Sequence, residues 1–111
     1  MTLHDDDVRL RHMLDYSREA LELVRDRSRS DLDNDRVLEL ALVRLLEIIG
    51  EAATRVSEEG RARNPEIPWP QIIGLRNRLI HGYDSVDMDV LWEILQGDHP
   101  ALIFKLEKYN A

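Results

Sequence analysis

Val37-Leu38-Glu39-Leu40-Ala41-Leu42-Val43-Arg44-Leu45-Leu46-Glu47-Ile48-Ile49 is the stretch that decides the fold of this chain. At helical pitch its apolar residues cover most of the circumference, and Glu39, Arg44, Glu47, Glu51 and Arg55 leave only a narrow charged stripe. A helix of that kind is buried on nearly all sides. A small bundle rarely covers one alone. One reading is therefore a helix that packs against a second chain, most simply across a two-fold axis. The other is a central helix within a single bundle. Asp33 or Asn34 is placed to cap it, and Gly60 suits the position just beyond its end at about residue 59.

Working outward, Leu10, Met13, Leu14, Ala20, Leu21 and Val24 recur at three- and four-residue spacing, which predicts a first amphipathic helix over 5 to about 27. Asp5, Asp6 and Asp7 read as a solvated first turn that complements the helix dipole. Ser28-Arg29-Ser30-Asp31 reads as a turn. Pro65, Pro68 and Pro70 make a rigid connector that can start a third helix, from about Trp69 to Ile80 or His81, with Gly82 placed to end it. Asp87 can cap a fourth helix over 88–96. Asp98, with Pro100 in the first turn, can start a fifth. No segment reads as a strand. The expectation is a single all-α domain over 1–111, a bundle of about four to five helices that dimerises through the largely apolar one.

The bulk composition narrows the classes. Apolar residues make up 43% and charged residues 33%, so a chain of 111 residues can bury a modest core and is not of the disordered type. Without cysteine there is no disulfide framework, thiolate metal site or cysteine nucleophile. The absence of an apolar leader or span predicts a soluble, cytoplasmic protein with no membrane association. The net charge of −7 argues against general nucleic-acid binding, since phosphate contacts supply most of that affinity. The charge is uneven, however. Five arginines face three glutamates over 55–78, and five acids with no Lys or Arg follow over 84–98.

His81 stands at that border, inside Arg76-Asn77-Arg78-Leu79-Ile80-His81-Gly82-Tyr83. A fixed cation, a group that titrates near neutrality and a phenol are what phosphate-ester chemistry needs without a metal. On an unbroken helix Arg76 and His81 would lie about 140° apart. A turn at Gly82, or a second chain supplying the opposite wall, would let both reach one phosphate. A structural alternative stays open: Arg76 pairs with Glu47 or Glu51, and His81 caps a carbonyl. No ligand spacing supports a metal site. Trp69 and Trp92 read as packing residues rather than base platforms.

The segment Arg76-x4-His81-x-Tyr83, with Asn77 after the arginine, resembles the signature of HepT-like members of the HEPN superfamily. Ile67-Pro68-Trp69 with Ile72, and Glu47-Ile48-Ile49-Gly50-Glu51-Ala52, extend the resemblance over nearly the whole chain. The resemblance implies a helical bundle that forms a homodimer, with the two motifs lining an interface cleft, and possible higher heteromeric assembly. It implies a toxin, a metal-independent endoribonuclease needing no cofactor, with RNA as substrate. Arg76 and His81 would be catalytic, and Asn77 and Arg78 supporting or RNA-contacting. The partner would be an MntA-like minimal nucleotidyltransferase antitoxin able to transfer AMP onto Tyr83. The alternative is a non-catalytic helical subunit that binds a nucleotide or substrate for a nucleotidyltransferase.

Overall fold

The computed structural model describes residues 3–81 and 85–109, and the side chains of all of these except Leu3, His4, His81 and Tyr109. Eight α-helices are described: α1 (Leu3–Val24), α2 (Arg29–Asn34), α3 (Arg36–Thr54), α4 (Glu58–Ala62), α5 (Trp69–Ile73), α6 (Leu75–Leu79), α7 (Met88–Glu93) and α8 (His99–Tyr109). The core sits where α3 packs on α1 and α1 packs on α8, while α5 and α6 cover another side of α3. Leu10, Met13 and Leu14 of α1, Leu42, Leu46 and Ile49 of α3, and Leu102 and Leu106 of α8 are fully or almost fully enclosed. The α1 face matches the predicted three-and-four spacing, extended by the buried Ser17, while Leu21 is only partly buried.

The α3 helix is only partly covered within one chain. Leu38, Leu42, Leu45, Leu46, Ile49, Ala52 and Ala53 are buried, but Val37 is 77% and Leu40 53% exposed. The helix begins later than either expected cap. Asp35 accepts the Leu38 amide at 3.0 Å and fixes the first turn at Arg36. It also ends earlier, at Thr54 rather than near residue 59. Gly60 is not its terminator. Gly60 lies buried in α4, where an added Cβ would stand 2.5 Å from Asp6 Oδ2 and 2.9 Å from Val56 Cγ1. The glycine is a spacer for close packing rather than a stop signal.

Asp6 corrects the reading of the N-terminal aspartates as solvated. It is buried and accepts both the Ser57 amide, at 2.8 Å, and the Ser57 hydroxyl, at 2.5 Å. Ser57 Oγ in turn accepts the Gly60 amide at 3.0 Å, capping α4. One carboxylate therefore ties the start of α1 to the α3–α4 corner, and its two bonds offset the desolvation that would otherwise exclude it. The stretch over 28–31 differs for a related reason. The side chains that favour turns also favour helix caps, and the Ser28 amide bonds Asp31 Oδ2 at 2.7 Å to start α2. Leu32 buries the one apolar side of that short helix.

The predicted third helix is two. Gly74 (φ −85°, ψ 7°) separates α5 from α6, and Ile80 (φ −107°, ψ 121°) is already extended. Ile80–His81 pairs antiparallel with Ser85–Val86, Ile80 opposite Val86 and His81 opposite Ser85. These are β1 and β2, a two-residue ladder the sequence pattern does not announce. The expected stop at Gly82 lies outside the described residues. The predicted fourth and fifth helices run together instead. Asp87 caps α7 as expected, accepting the Val90 amide at 3.1 Å. A π-helical turn, Ile94–Asp98, then carries the chain into α8, and the His99 amide reaches Ile94 O. Pro100 explains it. Proline cannot donate to the carbonyl four residues back and crowds it, and a wider turn relieves both effects. Asp98 is thus part of a continuous helical run and not its cap.

Candidate active site

The α6 helix is five residues long and is held by its two apolar side chains, Leu75 and Leu79, both fully buried. The residues between them face outward: Arg76 and Asn77 are exposed and Arg78 is half-buried. Arg76 donates its Nε to Glu47 Oε2 of α3 at 3.3 Å. Arg78 donates Nη1 to Asp98 Oδ2 of the π-helical turn at 3.0 Å. Two residues on a helix are about 200° apart, so the two arginines reach out on opposite sides. The α6 helix is therefore tethered to α3 on one side and to the π-helical turn on the other. Both ion pairs are half-exposed, so they add little to stability and act mainly on orientation.

Two depressions meet at Arg76. A groove of about 360 Å³ is lined by Arg36, Glu39, Leu40, Val43, Glu47, Arg76, Ile80 and Val86. Its α3 wall uses residues 36, 40, 43 and 47, one helical face. Its other wall is the β1–β2 ladder. The second depression, about 190 Å³, is lined by Glu47, Gly50, Glu51, Thr54, Ile73, Arg76 and Asn77. Gly50 shapes it: a Cβ there would meet the Ile72 carbonyl oxygen at 3.1 Å, so the glycine lets α5 lie close against α3. Four charged and four apolar side chains line the first depression, and the residues lining the second are mostly polar.

Of the predicted site residues, Arg76 and Asn77 share the polar depression. Arg78 is turned away from both and bound to Asp98. The His81 main chain lies in β1, two residues past the end of α6, so the 140° helical separation from Arg76 does not apply. The His81 side chain and the whole of Tyr83 lie outside the described residues. The alternative in which Arg76 pairs with Glu47 describes a contact that is present, although Arg76 keeps 57% of its side chain exposed. Asp98 as the partner of Arg78 was not legible in the sequence, because the π-helical turn that delivers it was not. Trp69 is buried and donates Nε1 to Asn64 O at 3.1 Å, a packing role as read. Among the described residues no three His, Asp or Glu side chains group as metal ligands, and no helix is long and apolar enough to cross a membrane.

Comparison with known proteins bears on the family of the chain. The family model described as "Ribonuclease HepT-like" matches residues 13–109. "Putative RNase MJ1380" of Methanocaldococcus jannaschii is 33% identical over 107 residues, covering 96% of this chain and 98% of that protein. "Probable ribonuclease HepT" of Thermococcus cleftensis is 39% identical over 94 residues, covering 81% of this chain and 86% of that protein. No solved structure matches the chain significantly. The all-α bundle, the motif on and after α6, and a family match from α1 to the end of α8 agree, and the chain belongs to the HepT-like ribonuclease family.

Proposed function

We propose that this chain is a metal-independent endoribonuclease toxin that works as a homodimer, with Arg76 and His81 as its catalytic pair. The observation that carries the reading is the position of Arg76. It stands on a short, doubly tethered helix at the rim of a groove whose α3 wall continues into the exposed Val37 and Leu40. An apolar strip of that kind is suited to a second copy of the same strip, since a two-fold interface is self-complementary. Two such copies would bring two motifs to one cleft.

In that cleft a ribose 2′-hydroxyl attacks the adjacent phosphorus. The bond from O2′ to phosphorus forms, the bond to the leaving 5′-oxygen breaks, and a cyclic phosphate and a free 5′-hydroxyl result. His81 of one chain takes the 2′-hydroxyl proton, and the second copy's histidine gives one to the leaving oxygen, a division worth about 10²–10⁴ in rate per group. Arg76 offsets the charge gathering on the phosphoryl oxygens. Asn77, beside Arg76, orients the phosphate. Arg78 supports α6 through Asp98 and contacts RNA from the outer side. A nucleotidyltransferase antitoxin of the MntA type controls the site by moving AMP from ATP onto the Tyr83 hydroxyl, with pyrophosphate leaving. The added anion repels RNA and fills the cleft.

A second reading, a non-catalytic partner subunit of a nucleotidyltransferase, draws on the net charge of −7 and on Glu39, Glu47 and Glu51 around the two depressions. Inducing the chain alone in cells, beside the His81→Ala form, separates the two. Growth arrest with fragmented RNA only for the intact histidine supports the toxin. Unimpaired growth and intact RNA with both soluble proteins support the partner subunit.

A further inference from the structure

The geometry points to Glu47 as a positioning residue for Arg76 in RNA cleavage, an inference that rests on the ribonuclease reading above. Glu47 stands at the boundary of both depressions and is 26% exposed. It takes the Nε–H of Arg76 and not the terminal nitrogens. Among the described hydrogen bonds Nη1 and Nη2 of Arg76 have no partner, so the planar outer edge of the guanidinium is left for a phosphate. A guanidinium presents its donors as a fixed fork, and fixing one edge orients the other. A free arginine on a five-residue helix would have to be ordered by the substrate itself. Glu47 removes that requirement, because it lies near the middle of α3, a 19-residue helix packed against α1, α5 and α6.

A bland role predicts the opposite sign. A carboxylate beside a polyanion site repels it, so deleting a merely adjacent charge should tighten RNA binding and leave turnover alone. Glu51 is the internal control. It lines the same polar depression and makes no side-chain bond to Arg76 among the described residues. Positioning predicts that Glu47→Ala lowers kcat about tenfold or more, since misplacing a charge-stabilising group by an ångström is that costly. Glu47→Gln, which keeps an oxygen acceptor for Nε–H, should recover most of the loss. Glu51→Gln should leave kcat within about twofold and shift only KM, through its charge. In an Arg76→Ala background Glu47→Ala should add nothing, because the two residues act as one unit.

The experiment is steady-state cleavage of a fluorogenic RNA by this set, with the Arg76 Nε–H resonance followed by NMR in the full chain. A kcat loss in Glu47→Ala, recovered by Gln and absent in the Arg76→Ala background, with a shifted Nε–H signal that Glu47→Ala abolishes, is the expected result. Unchanged kcat with lowered KM for Glu47→Ala overturns the inference. So does an Nε–H signal that Glu47→Ala does not move. Failure of the ribonuclease reading looks different: the wild-type chain cleaves no RNA, while the Nε–H signal still reports whether Glu47 holds Arg76.

Discussion

His99 should make this protein lose stability in mild acid. The side chain is fully buried at the start of α8, and among the described residues neither ring nitrogen has a hydrogen-bond partner. Burial pushes its pKa down from 6.5 to about 4, against an opposing pull from Asp98. The folded pKa lies below the unfolded one. Between those values the unfolded chain binds a proton and the folded chain does not, so stability falls as pH drops through 6.5 and the loss is complete below about 4. Linkage over a shift of that size gives a loss of about 2.5 kcal/mol between pH 7 and pH 4.5 from this one group. Carboxylates also titrate in that range, so the test is a difference. His99→Leu removes the titration, has a similar volume, and takes two unpaired polar atoms out of the core. It should be as stable as wild type or slightly more stable at pH 7. Urea unfolding of both proteins, followed by circular dichroism at pH 7 and pH 4.5, gives the comparison. Wild type should lose about 2.5 kcal/mol more than the variant on acidification. Equal losses would refute the claim that a buried neutral imidazole sits there.

Other outcomes follow from particular contacts. Gly60→Ala drives a Cβ into Asp6 and should cost about 2 kcal/mol or more in thermal or urea unfolding. Asp6→Ala leaves the Ser57 amide unpaired and should cost about 1–3 kcal/mol, but the double variant should cost less than the sum, because the clash partner is gone. Leu40→Asp should convert the proposed dimer to a folded monomer in sedimentation and lower RNA cleavage with it. A monomeric wild type, or an unshifted variant, would contradict the assigned interface.

The helical class and most of the core were legible because apolar periodicity reports burial directly. The buried faces of α1 and α3 are both in the spacing of their leucines, although the apolar coat of α3 also includes Val37 and Leu40, which the single chain leaves exposed. The boundaries were not, and the misses share a cause. Gly60 looked like a stop because isolated glycine signals one, yet its role depends on Asp6, 54 positions away in sequence. Asp6 looked solvated because nothing local announces that Ser57 will fold back onto it. The break at Gly74 and the extended Ile80 fell inside a plausible helical pattern, and the π-helical turn before Pro100 was read as two helices with a cap. At the site the motif residues were legible as residue types. Glu47 as the partner of Arg76 was one of two candidates, and Asp98 as the partner of Arg78 needed the fold.

The most direct measurement of the central claim is cleavage of RNA by the purified full chain in excess chelator, beside Arg76→Ala and His81→Ala proteins shown to be folded by circular dichroism. The account predicts cleavage by the wild-type chain that survives the chelator and falls by about 10²–10⁴ in the His81→Ala protein, with a comparable loss for Arg76→Ala. Equal cleavage by all three proteins, or cleavage that the chelator abolishes, would contradict it.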